Sequence, residues 1–481
     1  MDQAPPVPSF TASAPPHSIP GPLPLIDRLY AATLRRTIWP LMNIATGRSI
    51  HRKMRFLEQS QWWPRVRLVE LQCEKLRRLI EHAYARVPFY RRALQRCGLT
   101  PADFTSLEAL RGLPTVTKAM LKADPRDFLE EGGDFHRLVK DATGGSTNEP
   151  TTFFRTREQD SWHWALKYRM WGMAGYRLGQ PYVNLYNMQR HGLRKRVQDS
   201  FLRNHAFYVF TAADQQRMLD TVLEALARPA VQYLAGCTTT IRILADYRAS
   251  LPHPLPIHLR AVLSTGSLLT QRDRRIIETQ LGAPMWDHYG LGGEGAHIAA
   301  ECERKFGYHI NVENLIVEPA EPETIDTGQP TEVLVTVLDN YAWPLIRYVT
   351  GDYAVFSTRT CPCGRGVPML ERIDGRVSEV LRLPNGVKLN THYFSVILSE
   401  AHDIAQYQVE QTARDTVLLR TVWRGRERAE SITRWIVSEL NKVSAGTVRV
   451  LFEDVASIPP LRSGKHRFII ALPEETRAGS N

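Results

Sequence analysis

The sequence contains no apolar run long enough to cross a bilayer, so an integral membrane protein is not expected. Its first residues, Met1 to Pro24, lack the basic start and apolar core of a signal peptide, and their proline and serine content predicts a disordered tail. The 481 residues include only six cysteines, which do not form a disulfide framework, so a cytoplasmic location is expected. No helix-turn-helix or RNA-binding signature accompanies the net charge of +11. We therefore expect no nucleic-acid partner, and a basic surface that suits anionic nucleotide substrates.

Two helical patterns occur in the first hundred residues. Leu25–Met42 combines an apolar stripe with flanking arginines, a pattern that can lie on a membrane surface or dock on its own domain; docking is the expectation. Trp62–Cys97 has an amphipathic pattern with an inner face of leucines, and its helix is expected to end near Val87-Pro88. The length of the chain predicts two or three domains.

The most informative stretch is Val335 to Asp352. It begins as a buried strand, turns at Asn340–Pro344, and continues as a second short strand at Leu345–Val349. Gly351 then allows the backbone to turn and present the carboxylate of Asp352. A lone carboxylate after a strand can accept hydrogen bonds from both hydroxyls of a ribose. Taken alone, the stretch favours a plain β-hairpin that ends in a capping aspartate.

A family resemblance favours the ribose interpretation. Pro344-Leu345-Ile346-Arg347-Tyr348, followed by Thr350-Gly351-Asp352, resembles the ribose-binding motif of adenylate-forming enzymes. The similarity is to the phenylacetate–CoA ligase-like branch, which includes capsule-biosynthesis adenylating proteins. Four more segments occur in the order of the family, and the resemblance extends from about Leu57 to about Ile470. These segments are Thr143–Pro150, Ser264–Ser267, Asp287–Glu294 and Arg462–Lys465.

The resemblance implies an α/β fold in two parts. A large N-terminal adenylate-forming domain of β-sheets with packed helices would span residues 25–376 and bind ATP and the acyl group. A small mobile α+β domain would span residues 377–481, with a hinge at Val377–Val380. In this second part, strands are predicted at Val417–Val422 and Val448–Phe452, and helices at Tyr393–Ala401 and Ala429–Val443. Residues 1–24 form the predicted tail.

The candidate phosphate loop begins at Thr143. Its two glycines let backbone N–H groups approach an anion closely, and its hydroxyl groups are additional donors. It is not a Walker loop, because no Gly-Lys-Ser/Thr sequence follows. By resemblance it covers the phosphates of ATP. Its residues are Thr143, Gly144, Gly145, Ser146 and Thr147.

The resemblance also assigns the nucleoside contacts and the acyl pocket. Tyr289 would stack on adenine, while Asp352 and Arg376 would hold the ribose. Tyr233–Thr240 would line the acyl pocket, and nearby Trp286 and hydroxyl residues suit an aromatic or hydroxylated carboxylic acid. The full set of predicted nucleoside contacts is Ser264, Gly266, Ser267, Asp287, His288, Tyr289, Gly290, Asp352 and Arg376.

Two residues are candidates for the chemistry. The family has a Mg²⁺-binding glutamate in this segment. Counting forward from Tyr289 places it at Gly293, and counting backward from Ile298–Cys302 places it at Glu294. Glu294 is preferred, because glycine has no side chain that can bind a metal. Lys465 resembles the family's adenylation lysine, although a lysine in a basic loop, taken alone, is an ordinary solvated residue.

Three cysteines and a histidine suggest a second metal site. Cys302, His309, Cys361 and Cys363 could form a Cys₃His tetrahedron, a donor set that Zn²⁺ favours. The Cys-x-Cys spacing is tighter than the usual gap of two residues, and three buried thiols with a surface histidine remain the alternative. Related sequences of the branch have a similar set, which favours a structural zinc without a catalytic role.

The expected function is ATP-dependent activation of a small carboxylic acid to an acyl-adenylate, with coenzyme A as the implied acyl acceptor. Transfer to an amine or to a carrier-protein thiol is the alternative within enzymes. A noncatalytic binding protein with a basic surface is the alternative outside them. The presence of both Lys465 and Asp352 argues against it, because binding alone requires neither. The sequence does not indicate an oligomeric state.

Overall fold

The computed structural model describes residues 21–142, 151–186, 192–209, 214–398, 401, 403–459, 461 and 466–472. The predicted phosphate loop at 143–150, Lys465 and most of the predicted tail lie outside the described residues. Within the ranges given, no helix is both long and apolar enough to span a membrane.

Strands and helices alternate through most of the chain. The strands are β1 Val139–Ala142, β2 Thr152–Arg155, β3 Tyr182–Leu185, β4 Asn204–Phe207, β5 Tyr233–Cys237, β6 Ala261–Thr265, β7 Met285–Leu291, β8 Ala296–Glu301, β9 Tyr308–Ile310, β10 Leu315–Pro319, β11 Thr331–Val337, β12 Tyr348–Ser357, β13 Met369–Arg376, β14 Leu381–Arg382, β15 Lys388–Leu389, β16 Ile404–Ala413, β17 Thr416–Trp423, β18 Arg449–Asp454 and β19 Ile469–Ile470. The α-helices are α1 Leu25–Thr33, α2 Trp39–Ala45, α3 Ile50–Ser60, α4 Arg65–Arg86, α5 Pro88–Arg96, α6 Lys118–Ala123, α7 Arg157–Met173, α8 Leu193–Phe201, α9 Gln215–Leu226, α10 Thr238–Ser250, α11 Gln271–Leu281, α12 Thr391–Ile397 and α13 Ala429–Ser444.

An eleven-stranded mixed sheet organises the N-terminal region, which comprises the residues up to Arg376. Its strand order is β10-β11-β12-β13-β9-β8-β7-β6-β5-β3-β4. Strands β3 to β7 are parallel, and helices α9, α10 and α11 connect or flank them. Parallel strands covered on both faces are continuous apolar runs, and all five residues of β5 are buried accordingly. In the other part of the sheet, in the order β7-β8-β9-β13-β12-β11-β10, each strand is antiparallel to its neighbours. The predicted α/β fold class is confirmed.

The C-terminal region, which follows Arg376, has its own sheet in the order β18-β17-β16-β19. Helices α12 and α13 supply apolar residues to a separate core in which Phe394, Ile436 and Leu440 are buried. Both predicted strands and both predicted helices are present, with small shifts at their ends. Strand β16, in the middle of this sheet, was not predicted. The domain boundaries themselves remain predictions.

The first helical pattern docks on its own domain as expected, but through only part of the predicted stripe. The segments α1 and α2 are joined by one π-helical turn, and they pack on the N-terminal region through Ala31, Leu34 and Trp39. Gly179 approaches so closely that a Cβ there would lie 2.9 Å from Cα of Ala31. The predicted stripe is thus confirmed only in part: Leu34 belongs to it and is fully buried, while Ala31, outside the stripe, makes the close backbone contact. Five members of that stripe are instead between 40% and 76% exposed: Leu25, Ile26, Leu29, Leu41 and Met42.

The second helical pattern divides where the sequence predicted. Helix α4 ends at Arg86 and α5 begins at Pro88, because proline has no N–H to continue the hydrogen-bond ladder of α4. The inner face of α4 is buried as expected, including Leu76 and Leu79. It packs in the core under β8 to β12.

Candidate active site

Asp352 lies inside a strand rather than after one. The prediction of a short strand at Leu345–Val349 was wrong, because β12 begins at Tyr348 and continues past Asp352 to Ser357. The start is delayed because Arg347 has a φ of 51°, a left-handed conformation that a strand cannot include. The pattern alone did not indicate this conformation.

A β-bulge gives Asp352 its position. On β11, Leu334 and Glu332 each have a partner on β12, and a single residue separates them. Their partners are separated by three residues, Thr350, Gly351 and Asp352. Gly351 has a φ of 72°, which the bulge requires and glycine tolerates. Bulges bend a strand and redirect its side chains, so this one locally changes the course of β12 beside Asp352.

Two of the predicted nucleoside residues contact Asp352 directly. The hydroxyl of Tyr289 donates a hydrogen bond to Oδ2 of Asp352 at 3.0 Å. The Nε atom of Arg376, which is the register partner of Asp352 on β13, lies 3.7 Å from Oδ1. Each carboxylate oxygen can accept more than one hydrogen bond, so a diol can still be bound by Asp352. Residues from β7, β12 and β13 thus converge at one point.

Glu294 lies in the turn between β7 and β8, beside this cluster. It is 8% exposed, and the hydroxyl of Tyr348 donates to its Oε1 at 3.1 Å. Burial raises the pKa of the Glu294 carboxyl, and the charge of Asp352 raises it further, while nearby Lys118 opposes the shift. A buried carboxylate near a second carboxylate is stabilised by a cation, and oxygen is the donor that Mg²⁺ prefers. The donor chemistry therefore fits the predicted ion.

The two strands that flank the predicted phosphate loop lie against the same residues. The loop itself is outside the described residues, but β1 and β2 form an antiparallel hairpin around it. The ring of Phe153 on β2 packs edge-on against Tyr348, with centroids 6.0 Å apart. A Cβ on Gly295 would lie 2.9 Å from the side chain of Arg155, so glycine is needed next to Glu294. Strand β2, which follows the predicted loop, therefore lies beside Glu294 and Tyr348.

The other predicted nucleoside residues lie at the ends of β6 and β7. The carboxylate of Asp287 accepts hydrogen bonds from Oγ of Ser264 at 2.6 Å and from Tyr308 at 2.9 Å. Burial raises the pKa of Asp287 to about 6 and lowers that of His288 to about 4. His288 is tied to the backbone oxygen of Ser264 at 3.0 Å. Both side chains are thus engaged within the protein, and their contacts with a nucleotide remain predictions.

Ser267 connects this edge of the sheet to the C-terminal region. Its hydroxyl lies 2.9 Å from Sγ of Cys237 and accepts from Thr239 at 3.3 Å. The backbone N–H of His466 donates to the hydroxyl of Thr239 at 3.3 Å. His466 immediately follows Lys465, so the chain next to the predicted catalytic lysine lies one side chain away from Ser267.

Two residues of this site, Tyr348 and Lys118, received no role from the sequence, and Thr239 was assigned only to the acyl pocket. Tyr348 belongs to the ribose motif, Lys118 begins α6, and Thr239 lies in the first turn of α10. The pKa of Lys118 is lowered chiefly by burial, and the charge of Glu294 opposes this. A sequence signal existed for Tyr348 through its motif and for Thr239 through the predicted acyl-pocket segment, whereas Lys118 is brought to the site by tertiary contacts.

Glu379 lies in the predicted hinge and is a half-buried acid. Burial raises the pKa of its carboxyl to about 7, against the opposing charge of Arg376 and a 3.3 Å hydrogen bond from the hydroxyl of Thr391. Its charged form is therefore disfavoured in the folded protein relative to the unfolded chain.

We expect this acid to make the protein less stable as the pH rises from about 4.5 to about 7. In that interval the folded state binds more protons at Glu379 than the unfolded chain does, so the free energy of unfolding falls. Glu379→Gln mimics the protonated form and should remove about 1–2 kcal/mol of that fall. Denaturant unfolding of both proteins at pH 5, 6, 7 and 8 measures the difference. An identical pH dependence in the two proteins would contradict the assignment.

The four predicted zinc ligands come together. Cys302 directly follows β8, and His309 lies in β9. Cys361 and Cys363 lie between β12 and β13. Their donor atoms all lie within 4.8 Å of one another, with 3.6 Å between Sγ of Cys302 and Sγ of Cys361. Sγ of Cys363 lies 3.2 Å from Nε2 of His309. Donors about 2.0–2.3 Å from a tetrahedral Zn²⁺ lie about 3.3–3.8 Å apart, so the donor set and its spacing fit this ion.

Comparison with solved structures identifies the class of fold. The 2-hydroxyisobutyryl-CoA ligase in its postadenylation state with R3-HIB-AMP aligns with a TM-score of 0.71 at 20% identity, covering 87% of this chain and 92% of that chain. An open conformation of that ligase with 2-HIB-AMP and CoA aligns with a TM-score of 0.60 at 20% identity, covering 85% and 93%. The fold is thus that of an adenylate-forming ligase, as the resemblance implied.

Sequence comparison finds relatives among the phenylacetate-coenzyme A ligases. The phenylacetate-coenzyme A ligase of Thermus thermophilus is 27% identical over 378 residues, which covers 74% of this chain and 81% of that protein. The phenylacetate-coenzyme A ligase of Escherichia coli is 26% identical over 375 residues, covering 72% and 80%. No protein-family model matches the chain. The resemblance to the phenylacetate–CoA ligases is therefore confirmed over most of the chain.

Proposed function

We propose that the protein activates a carboxylic acid with ATP and transfers the acyl group to coenzyme A. The observation that supports this most strongly is the convergence of Asp352, Tyr289, Arg376, Glu294 and Tyr348 from three separated segments. A ribose-binding carboxylate beside a buried acid suited to a cation is the arrangement that adenylation requires. The similarity to acyl-CoA ligases supports the same reaction.

In the first step, a carboxylate oxygen of the acid attacks the α-phosphorus of ATP, and pyrophosphate leaves. Such a reaction depends on positioning and on neutralising charge more than on covalent help from the protein. Asp352 and Arg376 would fix the ribose, and residues 143–147 would hold the outer phosphates. Lys465 would donate to the oxygens on which negative charge develops. Bound Mg²⁺ would supply positive charge to the phosphates, and Glu294 is the residue that would hold it.

In the second step, the sulfur of coenzyme A attacks the acyl carbonyl carbon and AMP leaves with the bonding electrons. A thioester and AMP are the products, and the thiol proton is released. Lys465 would act in the first step only, because it would be carried away from the α-phosphate before the thiol attacks. We propose that the C-terminal region turns at residues 377–380 between the two steps.

The test is a pyrophosphate-release screen over aromatic, hydroxylated and aliphatic carboxylic acids, with and without coenzyme A. We expect pyrophosphate release that depends on one class of acid, and faster AMP formation when coenzyme A is present. Turnover that proceeds equally well without coenzyme A but requires an amine or a carrier protein would favour the alternative acceptor. Absence of pyrophosphate release with every acid would overturn the proposal.

We also propose that Cys302, His309, Cys361 and Cys363 hold one structural Zn²⁺. Such an ion would join the β8–β9 connection to the segment before β13, which are separated by more than fifty residues in the sequence. All four positions are taken by protein donors, as in structural zinc sites, so no catalytic step is assigned to the ion.

Cys363→Ser is expected to lose the metal and to lower the melting temperature. Zinc binding to a site that exists only in the folded state contributes directly to the free energy of folding. Metal analysis and thermal unfolding of protein purified without added zinc measure both effects. Cys97→Ser is the matched control, because Cys97 is exposed and outside the cluster. Equal zinc content in the two variants would contradict the proposal.

A further inference from the structure

A cavity of about 100 Å³ lies between the N-terminal and C-terminal regions. The N-terminal region contributes the first turns of α10 and α11, and the C-terminal region contributes β16 and the segment before β19. About 10–15 Å³ of such volume accommodates one water molecule, so the cavity has room for several waters or one small anion. The residues that matter here are Thr239, Arg242, Arg272, Asp273, Tyr407 and His466.

Arg272 is the unusual member of this lining. Its side chain is 6% exposed, and neither of its Nη atoms has a hydrogen-bond partner among the described residues. The hydroxyl of Tyr407 is also buried and unpartnered, and Tyr407 is 4% exposed. Buried polar groups are almost always paired, and an unpaired buried charge is especially costly. Two such groups, one from each region, line the same cavity.

The other charges around the cavity neutralise one another. Arg242 forms ion pairs with Asp273 and, at 2.9 Å, with Asp246. Asp246 also pairs with Arg424 of the C-terminal region at 3.2 Å. Two carboxylates are thus matched by two guanidinium groups, which leaves the charge of Arg272 uncompensated. Burial, with a contribution from Arg242, lowers its pKa to about 10, so it remains charged at neutral pH.

Two helix N-termini add to the positive potential. Helix α10 begins at Thr238 and α11 at Gln271, with thirteen and eleven residues respectively, and both first turns line the cavity. The N-terminus of a helix carries a partial positive charge and attracts anions. The helix ends do not define a site alone, but they surround a buried guanidinium that lacks a partner.

We propose that this cavity binds a phosphate group, held by the guanidinium of Arg272 and the hydroxyl of Tyr407. The planar fork of arginine matches two phosphate oxygens, and a tyrosine hydroxyl can donate to a third. Because Arg272 belongs to α11 and Tyr407 to β16, the bound phosphate links the two regions and stabilises their observed arrangement. The phosphate belongs either to coenzyme A or to a free anion such as pyrophosphate. The coenzyme A source rests on the proposed function, whereas binding of a free anion does not.

The experiment measures binding by calorimetry and thermal unfolding, with no carboxylic acid present. The full-length protein is titrated separately with inorganic phosphate, pyrophosphate, coenzyme A and dephospho-coenzyme A. Arg272→Met and Tyr407→Phe are the test variants, and Arg275→Gln, at an exposed position of the same helix, is the control. We expect Arg272→Met to weaken binding of the preferred ligand by about 10- to 100-fold, which corresponds to the loss of a charged hydrogen bond. Tyr407→Phe should weaken it several-fold, and Arg275→Gln should not change it.

The same variants distinguish a ligand site from a structural arginine. Without ligand, Arg272→Met should melt at the same or a higher temperature than wild type, because it removes an unpaired buried charge. A preference for coenzyme A over its dephospho form would identify the 3′-phosphate as the ligand, and equal binding of phosphate or pyrophosphate would identify a free anion. The proposal is overturned if none of the four compounds binds wild type. It is also overturned if Arg272→Met binds them unchanged. Since binding is measured without turnover, either failure leaves the pyrophosphate-release result unaffected.

Discussion

Lys465→Ala is expected to slow acyl-adenylate formation by a factor of about 10²–10³, the usual effect of removing one group that stabilises developing charge. The transfer of a chemically prepared acyl-adenylate to coenzyme A should remain near the wild-type rate. The neighbouring residue supports this assignment, because the N–H of His466 is within 3.3 Å of Thr239, which itself contacts Ser267. Single-turnover measurement of each step separates the two effects.

Lys442→Ala is the matched control for this prediction. Lys442 is an exposed lysine of the same C-terminal region, on α13, and it forms a surface ion pair with Glu439. Its replacement should change neither step. Equal slowing of both steps by Lys465→Ala would contradict the turning of the C-terminal region, and no slowing of either would make Lys465 an ordinary solvated lysine.

Asp352→Ala is expected to weaken nucleotide binding in both steps, because the ribose is held in each of them. A carboxylate that accepts hydrogen bonds from two hydroxyls contributes about 1.5–3 kcal/mol per bond. We therefore expect the KM for ATP to rise about 10²–10⁴-fold, with a similar loss in the use of supplied acyl-adenylate and a smaller change in kcat. Initial-rate kinetics over a range of nucleotide concentrations separate the effect on KM from the effect on kcat.

Two companion variants test whether the effect arises at the carboxylate. Asp352→Asn keeps the size of the side chain but removes its charge, and should lose most of the same affinity. Tyr289→Phe removes only the hydroxyl that orients Asp352 at 3.0 Å, so its loss should be smaller. A large effect of Asp352→Ala on melting temperature with unchanged nucleotide affinity would assign Asp352 to the fold instead.

Local patterns were most reliable where one short-range rule dominates. The end of α4 at Arg86 follows from the proline two residues later, and the buried strand β5 follows from its apolar residues. The four-residue Cys/His set was also recognised, because its residue types limit the chemistry. Rules of this kind need no knowledge of the rest of the chain.

Predictions failed where the outcome depended on a distant partner. The apolar stripe of Leu25–Met42 predicted Leu34 as a buried residue correctly, but it did not predict that Ala31 would pack on Gly179 while Leu25 and Ile26 stay exposed. The strand before Asp352 was placed three residues too early, because the conformation of Arg347 and the bulge opposite β11 do not follow from alternation of residue types. Sequence periodicity records which residues avoid water on average, and it contains no information about how closely two backbones approach.

The sequence by itself determined the kinds of chemistry available to this protein: a ribose-type carboxylate, a candidate metal-binding acid and a Cys₃His donor set. Only the tertiary structure decided which residues act together. It placed Tyr348 against Glu294, brought Tyr289 to Asp352, and enclosed Arg272 and Tyr407 in a cavity between two regions. The physical reason is that residue types fix donors, acceptors and charges locally. Burial and pairing, which set their pKa values and their affinity for ligands, arise from contacts between segments far apart in the chain.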